Sequence, residues 1–151
     1  MPEIISNTSC LILLSKINLL PLLGTIYGSI TITEVVKEEF GEPIADFIKV
    51  KNPSQLFTVK SLEQILDSGE SSTIALALET KDSIVILDDL KARKTALNLG
   101  LKITGTLGIL VKAAKLGHIK NIDSIFQDLQ SKGIWISESV LRLIKIELNK
   151  N

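Results

Sequence analysis

The chain opens on a short apolar pair, Ile4-Ile5, followed by Ser6-Asn7-Thr8-Ser9, four residues that all favour helix N-caps. A buried strand running straight into a helix is predicted there. Leu11, Leu14, Ile17, Leu20 and Leu23 then keep roughly helical spacing, with Pro21 starting a second short helix and Gly24 ending it. Residues 29–32 read as a second strand, and Thr33 as the N-cap of a helix from Glu34 to Phe40 closed by Gly41. Residues 41–60, with Pro43, Pro53 and few periodic apolar positions, give the weakest pattern in the chain. Two helices follow, over 61–67 and 70–80, separated at Ser68-Gly69.

"SIVIL", residues 83–87, is a continuous apolar run of the kind expected for a strand covered on both faces, and Asp88-Asp89 end it. A helix over 90–99 stops at Gly100, "LKIT" is a fourth short strand, and a helix over 106–116 is closed by Gly117. A helix over 122–132, a short extended "GIWIS" and a last helix from about Glu138 complete the pattern. Strand and helix thus alternate about four times, which predicts an α/β fold: a mostly parallel sheet of about four strands between two helical layers. No internal repeat or linker divides the chain, so residues 1–151 are expected to form one domain.

Composition narrows the function classes. Hydrophobic residues at 45% and charged residues at 23% fit a globular protein, and the scarcity of aromatics leaves the core to Leu, Ile, Val and Ala. Seventeen basic and seventeen acidic residues cancel, so no strongly basic surface advertises nucleic acid. One cysteine and one histidine cannot make a disulfide or a Cys/His zinc site, and a reducing, cytoplasmic setting is the expectation. The apolar stretch between Cys10 and Ile32 is broken by Lys16, Asn18, Pro21 and Gly24, which argues for core helix rather than a membrane span. No Lys or Arg precedes the apolar run, against a secretory signal.

In an open parallel sheet, ligands bind beyond the carboxyl ends of the strands. Three turns there are polar: Ser6 to Ser9, Asp88-Asp89, and Thr104-Gly105-Thr106. Adjacent acids after a buried strand suit a hard cation such as magnesium or manganese, and equally suit a cap on the next helix. Glu39 and Glu70 lie on or at the start of helices, where complementing the helix dipole or a solvated face is the plainer account. "GTLG" at 105–108 lacks the Lys-Ser/Thr ending of a phosphate loop, so Thr106 reads better as an N-cap. Lys91, Arg93 and Lys94 are placed for phosphate contact or for a solvated face. His118 complements a helix end, and Cys10 packs as a small hydrophobe. Nothing resembles a Ser-His-Asp or Cys-His arrangement.

Taken together, "IISNTSCLILLSKINLLPLL", "ITITEVVKEEF", "LDSGESSTIALALE", "VILDDLKARKTALNLGLKITGTLGILVKAAKLGHI" and "LQSKGIWISESVLRLI" resemble PIN-domain proteins, and more narrowly a prokaryotic PIN-like family related to VapC-type toxins. That resemblance implies a three-layer α/β/α domain whose acids bind one or two Mg2+ or Mn2+ ions for RNA phosphodiester hydrolysis. Carried over by position, the family's acids fall on Asn7, Glu39, Glu70 and Asp89, with Asp88 adjacent. Glu39, Glu70 and Asp89 are the implied catalytic carboxylates, and Thr8, Arg93, Thr104 and Thr106 the implied substrate contacts. The pattern breaks at Asn7, because an Asn carbonyl can coordinate a hard cation but brings no charge and accepts no proton.

Two functions compete on this reading. One is a metal-dependent ribonuclease, the toxin half of a toxin–antitoxin pair, weakened by Asn7. The other is a catalytically inactive PIN-fold module that binds RNA or a small antitoxin-like protein. A small-ligand protein of flavodoxin-like topology is a third reading, and the missing glycine-rich phosphate loop counts against it. Leu11, Leu14, Leu20 and Leu23 exceed what one face of a small sheet needs, which suggests a homodimer.

Overall fold

The computed structural model describes residues 1–150. Five strands form one parallel sheet: β1 (Glu3–Ser6), β2 (Ile30–Ile32), β3 (Ile48–Val50), β4 (Ser83–Ile86) and β5 (Lys102–Thr104), in the order β3-β2-β1-β4-β5. β1 and β4 run in register from Glu3 opposite Ser83 to Ser6 opposite Ile86. The helices are α1 (Thr8–Lys16), α2 (Leu22–Tyr27), α3 (Glu34–Phe40), α4 (Leu56–Leu62), α5 (Ser68–Leu78), α6 (Leu90–Asn98), α7 (Thr106–Lys115), α8 (Ile122–Ser131) and α9 (Glu138–Leu148). The strand order is not that of the flavodoxin-like sheet, 2-1-3-4-5.

Alternation along the central strands builds the three layers. Ile4 and Ile86 point into a core shared with α1, α7 and α8, while Ile5, Val85 and Leu87 point into a second core under α4, α5 and α6. Burial on both faces is why "SIVIL" is apolar at consecutive positions. α5 is buried from Gly69 through Ala77 and packs against α3, α4 and the sheet. Its small residues Ser71, Ser72, Thr73 and Ala75 allow that approach.

Several caps form as their residue types dictate. The Thr33 hydroxyl accepts from the Val36 amide at the start of α3, and Gly41 ends that helix at φ 71°. Elsewhere the chain departs from its sequence pattern. α2 runs through Gly24 to Tyr27, and the left-handed residue that closes it is Gly28, at φ 80°. The fifth strand, β3, lies in the weak 41–60 stretch because it is an edge strand with only Ile48 buried. α4 begins at Leu56 rather than at 61, and its Leu56 and Phe57 face solvent, so no apolar period marks it. α5 starts at Ser68, with Asp67 as its cap. Gly105 takes the cap position of α7, making Thr106 the first helical residue. "GIWIS" joins no sheet.

Leu11, Leu14 and Leu23 are fully buried within the chain, and Leu20 packs against the same core. They are interior residues of the single chain, so the dimer expectation loses the surface on which it rested. Among the described residues no helix is long and apolar enough to cross a membrane.

Candidate functional site

The chain leaves β1 outward to β2 and β3, then returns to lay β4 on the other side of β1. The strand order therefore switches between β1 and β4, and a crevice opens beyond their carboxyl ends. Asn7 follows β1 there, and Asp88-Asp89 follow β4.

Asn7 is buried, at 4% exposure. Its backbone amide donates to the Ile86 carbonyl at 3.1 Å and its carbonyl accepts from the Ser6 hydroxyl, which fixes the residue against β4. It occupies the N-cap position of α1 with extended backbone (φ −81°, ψ 176°), yet its side chain makes no cap hydrogen bond. Its Oδ1 is buried with no partner among the described residues. A cap bond would contribute about 1 kcal/mol, whereas a buried unpaired acceptor costs about 1–3 kcal/mol. Helix capping therefore does not account for Asn7, which holds an oxygen acceptor at the strand edge that no other described residue uses.

Carboxylates gather around it from three helices. α3 packs across both α1 and α5, so Glu39 in its last turn accepts a 2.5 Å hydrogen bond from the Thr8 hydroxyl, next to Asn7. The Glu39 carboxylate rests on Gly69, at a point that a Cβ would occupy. Glu70 follows, buried and locked in a capping box: its amide donates to Asp67 Oδ1 at 2.8 Å, and its own Oε1 accepts from the Asp67 amide at 3.4 Å. Burial pushes the Glu70 carboxyl above its ordinary value, and the charges of Asp67, Asp89 and Glu39 push it further. Those three acids are thus near enough to Glu70 to disfavour its charge.

The two aspartates after β4 divide. Asp89 is exposed and caps α6, its Oδ2 accepting from the Ala92 amide at 3.0 Å. Asp88 turns to α7, where Oδ1 accepts from the Thr106 amide at 2.7 Å and Oδ2 from the Thr106 hydroxyl at 2.6 Å. Arg93 donates through Nη1 to the Leu87 carbonyl at 2.8 Å, tying α6 back to the end of β4. Gly105 makes room for this, since a Cβ there would meet both Arg93 and Asp88. Thr104 ends β5 with its hydroxyl against Gly108.

The structure thus brings Asn7, Thr8, Glu39, Glu70 and Asp89 into one neighbourhood, with Asp88, Arg93, Thr104 and Thr106 along the adjoining β4–β5 edge. Among the described residues, no three Asp, Glu, His or Cys side chains already stand in metal-ligating geometry. The oxygen-only donor set and the unused Asn7 Oδ1 nevertheless fit a hard divalent cation, whose charge would relieve the repulsion on Glu70. Asp67 and Gly69 were not among the residues singled out from the sequence. The "DSGE" spacing of a capping box is the signal that marks them. Cys10 is no rival nucleophile, because burial pushes its thiol up to about 12.

No curated protein matches the chain significantly. A family model described as a PIN domain matches residues 3–150, nearly the whole sequence and every element that builds the crevice. On that match the chain belongs to the PIN-domain family, a fold that typically carries a nuclease and generally depends on a divalent metal.

Proposed function

We propose that this protein is a Mg2+- or Mn2+-dependent endoribonuclease, the toxin component of a toxin–antitoxin pair, with its activity weakened by Asn7. Family membership supports the nuclease class, and likeness to VapC-type toxins supports the pairing with a small protein antitoxin. The observation that carries the site assignment is the buried Asn7 Oδ1, unpartnered among the described residues, together with the buried Glu70 whose charge three nearby acids disfavour. Asn7, Glu39, Glu70 and Asp89 would hold the ion, with Asp88 braced by Thr106 beside them. When bound, the ion supplies neutralisation of the charge that develops on the phosphate oxygens.

The side chains do the rest. Thr8 holds the Glu39 carboxylate toward the crevice, and the Asp67 capping box fixes the Glu70 rotamer. Burial and the neighbouring acids disfavour the charged Glu70 carboxylate, so an ion held there would offset a charge that the fold alone penalises. Arg93 keeps guanidinium donors besides the one bound to Leu87, which can meet a phosphate.

A specific observation favours the rival, a PIN-fold module that binds without cutting. Asn7 is uncharged, and one or both oxygens of each aspartate after β4 already serve as hydrogen-bond acceptors within the fold. Incubation with structured and unstructured RNAs, in Mn2+ and in chelator, beside Glu70→Gln, separates the two. Cleavage that needs the metal and is lost in the variant supports the nuclease. RNA binding without cleavage in either condition leaves the module.

A further inference from the structure

Beside the acidic crevice lies a cavity of about 210 Å3 whose walls include Leu13, Leu129, Ile134 and Trp135, and which Asp88 and Thr106 also line. We infer that this cavity is a base-binding pocket, which takes one nucleobase of the RNA next to the phosphate held in the crevice and prefers guanine. The inference deepens the nuclease reading above and rests on its substrate class.

Three observations converge on a base. Drug-sized ligands occupy pockets of about 300 Å3 or more, so this volume suits a single planar heterocycle. Trp135 stands 84% exposed while lining the cavity, an indole left uncovered in the loop between α8 and α9. Unstacked RNA bases are recognised by stacking on such rings and by hydrogen bonds along their pairing edges. Asp88 belongs both to this wall and to the turn after β4, which sets the cavity beside the crevice.

The carboxylate also sets the choice among bases. Each Asp88 oxygen accepts one hydrogen bond from Thr106 and keeps a further lone pair. Guanine offers two neighbouring donors, its N1–H and exocyclic amine, which match a carboxylate's two oxygens. Adenine and cytosine offer only the amine, and uracil flanks its single N–H with carbonyl oxygens that the carboxylate repels. An apolar side chain from a protein partner would leave Asp88 facing hydrocarbon.

Trp135 is the only tryptophan in the chain, so its emission reports on this cavity alone. The full-length protein is titrated in chelator with guanosine monophosphate, uridine monophosphate and N-acetyl-leucinamide. Saturable quenching by the guanosine nucleotide, at least about tenfold tighter than by the uridine one, is the expected result, a ratio in the range that stacking and edge contacts provide. Asp88→Asn should erase the preference. Trp135→Ala, at an exposed loop position, should weaken binding of a labelled guanosine-containing trinucleotide about 5- to 150-fold by anisotropy. No change in emission with either nucleotide, or an equal response to the leucine amide, overturns the inference. Because no metal is present, quenching without any RNA cleavage in the companion assay retains the pocket and rejects the nuclease. Cleavage without quenching does the reverse.

Discussion

At the scale of single residues, the charge state of Glu70 connects folding to the proposed chemistry. Its carboxyl is buried and faces Asp67, Asp89 and Glu39, so the folded chain favours the protonated form. For an acid whose folded-state pKa is raised, stability is fully present below the ordinary value of 4.5 and is lost as pH rises through the raised one. Glu70→Gln keeps an acceptor for the Asp67 amide and removes the charge. In chelator the variant should therefore melt higher than wild type at neutral pH, and the gap should close as pH falls toward 4.5. Melting curves across that range check it, and a gap that is constant with pH sinks the account of Glu70. Glu70 was recognisable from its place in the "DSGE" string, but its burial and its acidic neighbours were not, since Glu39 is 31 residues before it and Asp89 is 19 after it.

Among the elements, α5 and α3 set the site through one close approach. Gly69 has no side chain, and Glu39 fills the space that a Cβ would need. The Glu39 carboxylate lies at the end of a flexible side chain, so Gly69→Ala moves that carboxylate and leaves the backbone alone. Ala also favours helix over Gly by up to about 1 kcal/mol. Gly69→Ala should hold or raise the melting temperature in chelator while reducing the additional stabilisation that manganese confers. A variant with an undiminished manganese response shows that Glu39 does not serve the ion. Elements were legible where their apolar residues face a core, as in β1, β4 and α7, or where a cap residue does chemistry on the backbone, as Thr33 does. They were illegible where the apolar residues look outward, as Leu56 and Phe57 of α4 do, or where an edge strand buries a single side chain, as β3 does with Ile48.

On the scale of the whole molecule, five parallel strands with helices on both faces make a closed core from one chain. Leu14 is fully buried in it. Leu14→Ala should cost about 2–5 kcal/mol, by an amount that does not change with protein concentration. Chemical denaturation at two concentrations checks this. A loss that shrinks on dilution would return the leucine to a dimer face. The three-layer class followed from the alternation of strands and helices, but the meeting of Asn7, Glu39, Glu70 and Asp89 depends on β1 and β4 being neighbours, which alternation alone does not dictate. That meeting is the central claim, and replacing Asn7 with Asp tests it most directly. The substitution adds a negative charge beside the existing carboxylates, which costs stability without a cation and is repaid by tighter binding with one. Melting temperatures of wild type and Asn7→Asp, in chelator and in manganese, should differ in opposite directions: the variant lower in chelator and higher in manganese, with RNA cleavage increased. A variant that changes neither the manganese response nor the cleavage contradicts a cation site at the carboxyl edge of β1.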